Sequence, residues 1–396
     1  MQKEIVENLI VKIAGQIKNE VKQSAGNLNN DWGLYSGLLG EIVFLYYYSA
    51  YTDNESDKNL ADEVLDSYLS SIRIGRIGFS LCSGAAGVLY GLKLLGNNNY
   101  ADVNLNSIIP LFRESIMKNL KTDEDHCNYD LMYGLSGIGS VCVKLGLTDI
   151  AEAIAERISK QMIETLEGSY LLFEDFETCG KCENISLSHG LSGVILFLSL
   201  LVKLQNGHSK SISDILSRAI QYLLSNRYQS YDIMGSMFPY QSIKNESEKS
   251  RLAWCYGDLG IGMALVSAAK ALKSEWLESF TKELFIFNSK RFGAQDNYVH
   301  DACICHGTAG ISQIFKSSSE LYDCNQDMKA AYHYWMEQEL NFSHFEDGPA
   351  GYKRYVGSGF LSSYNLLEGV AGIGLSLISY LRPELSNWEE LFFIGL

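Results

Sequence analysis

The chain repeats one pattern seven times: a glycine, two residues, a second glycine, then a run of apolar side chains. The copies are Gly37-Leu-Leu-Gly40, Gly84-Ala-Ala-Gly87, Gly134-Leu-Ser-Gly137, Gly190-Leu-Ser-Gly193, Gly257-Asp-Leu-Gly260, Gly307-Thr-Ala-Gly310 and Gly369-Val-Ala-Gly372. Their first glycines stand 47, 50, 56, 67, 50 and 62 residues apart, room for two helices and their loops. Apolar runs such as Val194-Ile-Leu-Phe-Leu-Ser-Leu-Leu follow each pair. Segments with one polar face, such as 149–166 and 212–224, lie between the copies. Strand-like alternation bounded by turns is scarce. A helix apolar all round is buried and an amphipathic one is half-exposed. The pattern therefore predicts an all-α fold, an α/α toroid of seven inner and seven outer helices. Glycines three apart share a helix face, and without side chains there a neighbour or ligand can come close. The N-terminal segment is also amphipathic, with Ile5, Leu9, Ile13 and Ile17 at helical spacing.

Composition supports this reading. Four prolines in 396 residues leave long helices uninterrupted, and 35 glycines supply the paired motif. Length alone suggests two or three domains, but the repeat closes the whole of 1–396 into one toroid. Apolar residues at 46% and charged residues at 20% describe a globular chain. A net charge of −15 argues against a nucleic-acid partner. No segment has the length of a membrane span or the make-up of a signal peptide, so a cytoplasmic protein with reduced cysteines is expected.

The chemistry-bearing residues cluster just ahead of the first glycine. Block three carries Tyr129-Asp130, block four Ser188-His189, block five Arg251 and Trp254-Cys255-Tyr256, and block six Cys303-Ile304-Cys305-His306. Equivalent repeat positions project from one rim, and these blocks are consecutive. Asp130, His189, Cys255, Cys305 and His306 are therefore expected near one mouth. Two thiols and an imidazole suit zinc, and three protein ligands leave a fourth position open for catalysis. Cys303 and His300 flank the cluster as alternative ligands. Cys82 occupies the same repeat position, but block two lies three steps round the ring. With helix axes 8–10 Å apart that is roughly 20 Å, so Cys82 reads as packing. Cys179-Gly-Lys-Cys182, a lone CxxC, reads as structural. His126, Cys127, His208, His333 and His344 carry no partner signal.

Trp254-Cys-Tyr-Gly-Asp-Leu-Gly, Cys305-His-Gly-Thr-Ala-Gly and Ser188-His-Gly-Leu-Ser-Gly together resemble the lanthionine synthetase C-like family, the lantibiotic cyclases, through all seven repeats. The resemblance implies an α/α toroid with one catalytic zinc on Cys255, Cys305 and His306. It implies an acid/base histidine at His189, with functional roles for Asp130, Arg251 and Tyr256. Some members carry a small inserted domain, which the sequence does not locate here. The implied reaction joins precursor-peptide cysteine thiols to dehydroalanine or dehydrobutyrine, giving thioether rings. The implied partners are the dehydrated precursor, a dehydratase and an exporter. In that reaction Asp130 orients an imidazole or takes the thiol proton, Arg251 offsets negative charge, and Tyr256 and Asp258 support the centre. Three rivals are weaker. A zinc prenyltransferase would want an Asp-Cys-His set and a second subunit. A barrel glycosidase needs paired carboxylates, and only Asp130 and Glu368 lie just ahead of a motif glycine. A non-catalytic thiol- or peptide-binding adaptor shares the motifs.

Overall fold

The computed structural model describes residues 3–24, 31–73, 76–122, 128–175, 180–207, 210–242 and 248–395. Seven helices each begin on the residue after a motif's first glycine: α2 (Leu38–Thr52), α4 (Ala85–Asn97), α6 (Leu135–Leu145), α8 (Leu191–Leu204), α11 (Asp258–Leu272), α13 (Thr308–Leu321) and α15 (Val370–Leu381). These inner helices are buried along almost their whole length. Amphipathic helices alternate with them: α1 (Lys3–Ser24), α3 (Glu55–Ser71), α5 (Ile109–Thr122), α7 (Thr148–Gln161), α9 (Lys210–Ser225), α12 (Glu275–Asn288) and α14 (Gln326–Asn341), with a short α10 (Tyr231–Met234). In α1 the buried face is Val6, Leu9, Ile10, Ile13, Ile17 and Val21, while Ile5 is exposed.

In six of the seven pairs the second glycine has a visible steric purpose. The entering loop doubles back over the helix's first turn. A Cβ at Gly40, Gly87, Gly193, Gly260, Gly310 or Gly372 would sit 1.9–2.6 Å from the carbonyl oxygen six residues upstream. Only glycine allows backbone that close.

Strands are present where the alternation gave no warning. Among the described residues, three two-stranded antiparallel hairpins pair β1 (Ile163–Thr165) with β2 (Gly168–Tyr170), β3 (Leu172–Asp175) with β4 (Gly180–Glu183), and β5 (Arg354–Tyr355) with β6 (Phe360–Leu361). The amphipathic reading of 149–166 therefore overran: α7 stops at Gln161 and β1 follows. The β1–β2 turn is held by tertiary contacts, with Arg218 of α9 donating to Ser169 Oγ and the Thr165 carbonyl.

The chain divides into two compact units, one of 1–112, 299–317 and 329–395, the other of 113–298 and 318–328. In the first, α15 packs on α1 and α2, and α2 packs on α3 and α4. Trp335, Trp388, Tyr35 and Phe392 fill its core, and the Tyr35 and Phe392 rings stack at 4.8 Å. In the second, α8 packs on α6, α9 and α11, and α11 on α12, around the buried Phe197 and Trp254. No helix among the described residues is long and apolar enough to cross a membrane.

Candidate active site

The residue two before each first glycine links neighbouring repeats through peptide hydrogen bonds. In the second unit the Cys255 carbonyl accepts from the Leu187 and Ser188 amides, both at 3.1 Å. The Ser188 carbonyl accepts from Leu131 at 3.1 Å and Met132 at 3.3 Å. In the first unit the Leu367 carbonyl accepts from Ile304 and Cys305 at 3.1 Å. Leu367 donates to Tyr35 and Tyr35 to Cys82, each at 3.0 Å. The repeat phase that organises the sequence thus organises the loops. Cys82 is 2% exposed, as its packing role requires.

Within the second unit, Asp130 and His189 form a pair. His189 Nδ1 lies 2.7 Å from Asp130 Oδ2, and Asp130 is 2% exposed. Asp130 Oδ1 accepts from the Tyr133 and Gly134 amides at 2.6 and 2.8 Å. Both carboxylate oxygens are therefore engaged. An ionised carboxylate only accepts, so Nδ1 carries a hydrogen and Nε2 is the nitrogen that gains or loses a proton. His189 follows Ser188 directly, so this imidazole stands on the loop whose amides bond to Cys255.

Aromatic rings surround the pair. Tyr133 stacks on the His189 ring at 6.0 Å, and Tyr256 meets it tilted at 6.1 Å. Tyr256 stacks on Tyr240 at 4.3 Å, its hydroxyl accepts from Asn184 Nδ2 at 3.3 Å, and burial pushes its phenol up. The Arg251 guanidinium lies over the Tyr240 ring at 5.4 Å, a cation–π contact. Tyr133 and Tyr240 escaped the sequence reading. Tyr133 directly precedes its motif glycine, as His189 and His306 do, and that phase would have found it. Tyr240 carries no such mark.

The loop bearing Cys255 differs from its equivalents. Gly257 caps α11 at φ 84° and ψ −167°, a conformation left to glycine. The caps of α2, α4, α6, α8 and α15 all have φ between −107° and −145°. Asp258 corrects the expectation that it supports the centre. Fully buried, it accepts from the Met237 and Phe238 amides at 2.8 and 2.9 Å and lies 3.5 Å from Arg291. It fastens the 236–238 segment to the start of α11.

Within the first unit, Cys305 and His306 stand half-buried ahead of α13. His306 Nε2 lies 3.1 Å from Asp301 Oδ2. Asp301 Oδ1 accepts from the Cys303 amide at 3.0 Å, and Oδ2 also accepts from the Tyr355 amide of β5 at 2.7 Å. Burial would raise the Asp301 carboxyl, but His306, the Tyr355 amide and the Cys303 side chain outweigh it and hold it below the ordinary carboxylate value. Ligand atoms of Asp301, Cys303 and His306 lie within 4.8 Å of one another, a Cys/His group able to hold a metal ion. Cys303 is the more buried of the two local thiols. It is 1% exposed, burial beside Asp301 pushes its thiol up to about 12, and its sulfur accepts the His306 amide at 3.4 Å. His300 packs on the Tyr355 ring at 4.5 Å. Glu368 pairs with Arg354 of β5. Cys182 lies on β4. Cys179, His126, Cys127 and His208 lie outside the described residues.

Comparison with known proteins agrees with the architecture. The chain is 24% identical over 353 residues, 79% of its length and 80% of the relative's, to the nisin biosynthesis protein NisC of Lactococcus lactis subsp. lactis. The solved structure of a nisin cyclase superposes with a TM-score of 0.75 at 21% identity, covering 99% of this chain and 98% of that one. The shared fold is the all-α toroid of that cyclase. The family model described as lanthionine synthetase C-like protein matches residues 29–393, and this chain belongs to that family.

Proposed function

We propose that the protein is a zinc-dependent lanthipeptide cyclase. It adds cysteine thiols of a dehydrated precursor peptide, intramolecularly, to dehydroalanine or dehydrobutyrine and closes (methyl)lanthionine rings. The observation that carries this reading is the Asp130–His189 pair on the loop bonded to the Cys255 peptide. An addition of a thiol across a carbon–carbon double bond needs a proton carrier beside a thiol-binding centre. Family membership over 29–393 and the likeness to a nisin cyclase support the same reaction class.

In this reading Cys255, Cys305 and His306 hold one zinc ion per chain. Two thiols and an imidazole are a donor set that suits a borderline-soft ion with one position left open. When bound, the ion lowers the pKa of the substrate thiol, so that it attacks as thiolate. The remaining steps belong to the chain. The sulfur bonds to Cβ, the electron pair moves onto Cα and its carbonyl, and His189 delivers a proton to Cα. Asp130, with both oxygens engaged, orients the imidazole and stabilises its charged form and does not itself take the thiol proton. Arg251 offsets the negative charge that develops on the peptide, and Tyr256 walls the imidazole. The reaction is an isomerisation, because one proton leaves sulfur and one arrives at carbon. The protein acts in the cytoplasm, beside a dehydratase and an exporter.

The test follows from the unchanged mass. Incubation with dehydrated precursor, thiol alkylation and mass spectrometry should show fewer alkylated cysteines with time. Every thiol remaining free would favour the adaptor reading.

A further inference from the structure

Asp301 stands six residues before its motif glycine. That repeat position is also occupied by Asp31, Asn128 and Asn184. In all four, side-chain Oδ1 accepts the amide two residues on, at 2.8 Å for Asp31, 2.9 Å for Asn128 and Asn184, and 3.0 Å for Asp301. An Asx turn is thus a recurring part of the loop, and asparagine serves it as well as aspartate. Oδ1 explains why an Asx residue is there. It does not explain a carboxylate 1% exposed, whose second oxygen reaches the His306 ring at 3.1 Å and the Tyr355 amide at 2.7 Å.

We infer that Asp301 is the positioning residue of His306: it holds the Nε2–H so that Nδ1 is the nitrogen presented to the metal. This rests on the reading of His306 as a zinc ligand. An ionised carboxylate accepts only, so its contact with Nε2 fixes the hydrogen there and selects one tautomer. A ligating histidine held this way through its other nitrogen cannot rotate off the ion and is a stronger base. The same oxygen ties β5 to the imidazole. The β5–β6 hairpin and the ligand loop are therefore set in register by one carboxylate. The trace left in the sequence is the residue type at a repeat position where the turn alone tolerates asparagine.

The turn also supplies a variant. Asp301→Asn keeps the side chain's size and the Cys303 amide bond, as Asn128 and Asn184 keep theirs, but replaces the oxygen that accepts from Nε2–H and from the Tyr355 amide by an NH2 group. Zinc affinity, measured by chelator competition on the full chain, should fall about 10- to 100-fold. The visible spectrum of the cobalt(II)-substituted protein should shift. Asp31→Asn, the same change at the same repeat position, should leave both within twofold of wild type. Equal affinities for the two variants would overturn the inference. A second measurement needs no variant: ring-nitrogen NMR of the zinc-loaded wild-type protein, selectively labelled in histidine. His306 should show a protonated Nε2 and a metal-shifted Nδ1, and the reverse pattern would overturn the assignment even if Asp301→Asn fails to fold. Wild-type protein that binds no zinc would sink the ligand reading itself. Zinc bound normally by both wild type and Asp301→Asn would sink only the role of Asp301.

Discussion

Asp130→Asn is the substitution that separates orientation from support. The carboxylate makes two kinds of bond. Oδ1 takes the Tyr133 and Gly134 amides at 2.6 and 2.8 Å, and Oδ2 takes His189 Nδ1 at 2.7 Å. An asparagine oxygen can keep both amide bonds, so the turn leading into α6 survives, with a stability change under about 1 kcal/mol. The carboxamide nitrogen then faces Nδ1. It forces the neutral ring into the other tautomer and repels the charged ring. A hydrogen bond to a charged group contributes about 1.5–3 kcal/mol. At roughly 1.4 kcal/mol per tenfold, losing that from the proton-delivering form slows cyclisation about 10- to 150-fold. Alkylation time courses on dehydrated precursor measure the rate, and metal analysis and thermal melts run in parallel. Asp130→Ala, by contrast, also strips the two amides of their acceptor and should cost about 1–3 kcal/mol of stability. Asp130→Asn cyclising at the wild-type rate, with normal zinc and melting, would refute the orienting role.

Other outcomes follow from particular contacts. Cys255→Ala and Cys305→Ala should each fall below one zinc per chain, whereas Cys82→Ala should keep it; full zinc in either of the first two would remove that ligand. His189→Ala should retain zinc and lose ring formation. Glu41 is 8% exposed, its Oε2 has no hydrogen-bond partner among the described residues, and burial, with Glu20 adding to it, pushes its carboxyl up to about 8. The folded protein then holds a proton there that the unfolded chain, near the ordinary 4.5, does not. That contribution is complete below pH ~4.5 and is lost as pH rises toward 8, at up to about 1.4 kcal/mol per pH unit. Chemical denaturation of Glu41→Gln at pH 5 and pH 8 should show a flatter dependence than wild type, and an equal slope would contradict it. Gly310→Ala puts a Cβ 1.9 Å from the Ile304 carbonyl and should cost at least about 2 kcal/mol. Gly96→Ala meets nothing within 4 Å on α4 and should stabilise by about 0.5–1 kcal/mol.

The inner helices were legible because burial on all sides leaves an unbroken apolar run, and each starts at a glycine that no other residue can replace. The nearness of Asp130 to His189, 2.7 Å apart, was legible for the same reason: one loop is built seven times, and both stand just ahead of its glycine. What escaped depends on contacts distant in the chain. The hairpin that begins at Ile163 follows a helix without a break in polarity, and Arg218 of α9 is what holds it. Asp258 looked like part of the centre because it follows Gly257, but its carboxylate turns to the 236–238 segment and Arg291. Asp301 stands six residues ahead of its glycine, the repeat position that Arg251 occupies in block five, and its role depends on a contact with His306 that the sequence does not display. Its equivalents Asp31, Asn128 and Asn184 form a column of Asx residues with it, and residue type narrows that column to Asp31 and Asp301 without saying which carboxylate meets an imidazole.

Deuterium uptake tests the central claim most directly. In the proposed reaction the proton placed on Cα comes from His189, which exchanges with solvent. Cyclisation of a dehydrated precursor in D2O, followed by return to H2O and mass spectrometry, should therefore show one non-exchanging deuteron per ring. Uptake should match the loss of alkylatable thiols, proceed far faster than with peptide alone, and vanish with zinc-loaded His189→Ala. Wild-type protein that incorporates deuterium no faster than peptide alone, or His189→Ala that matches wild type, would contradict the account.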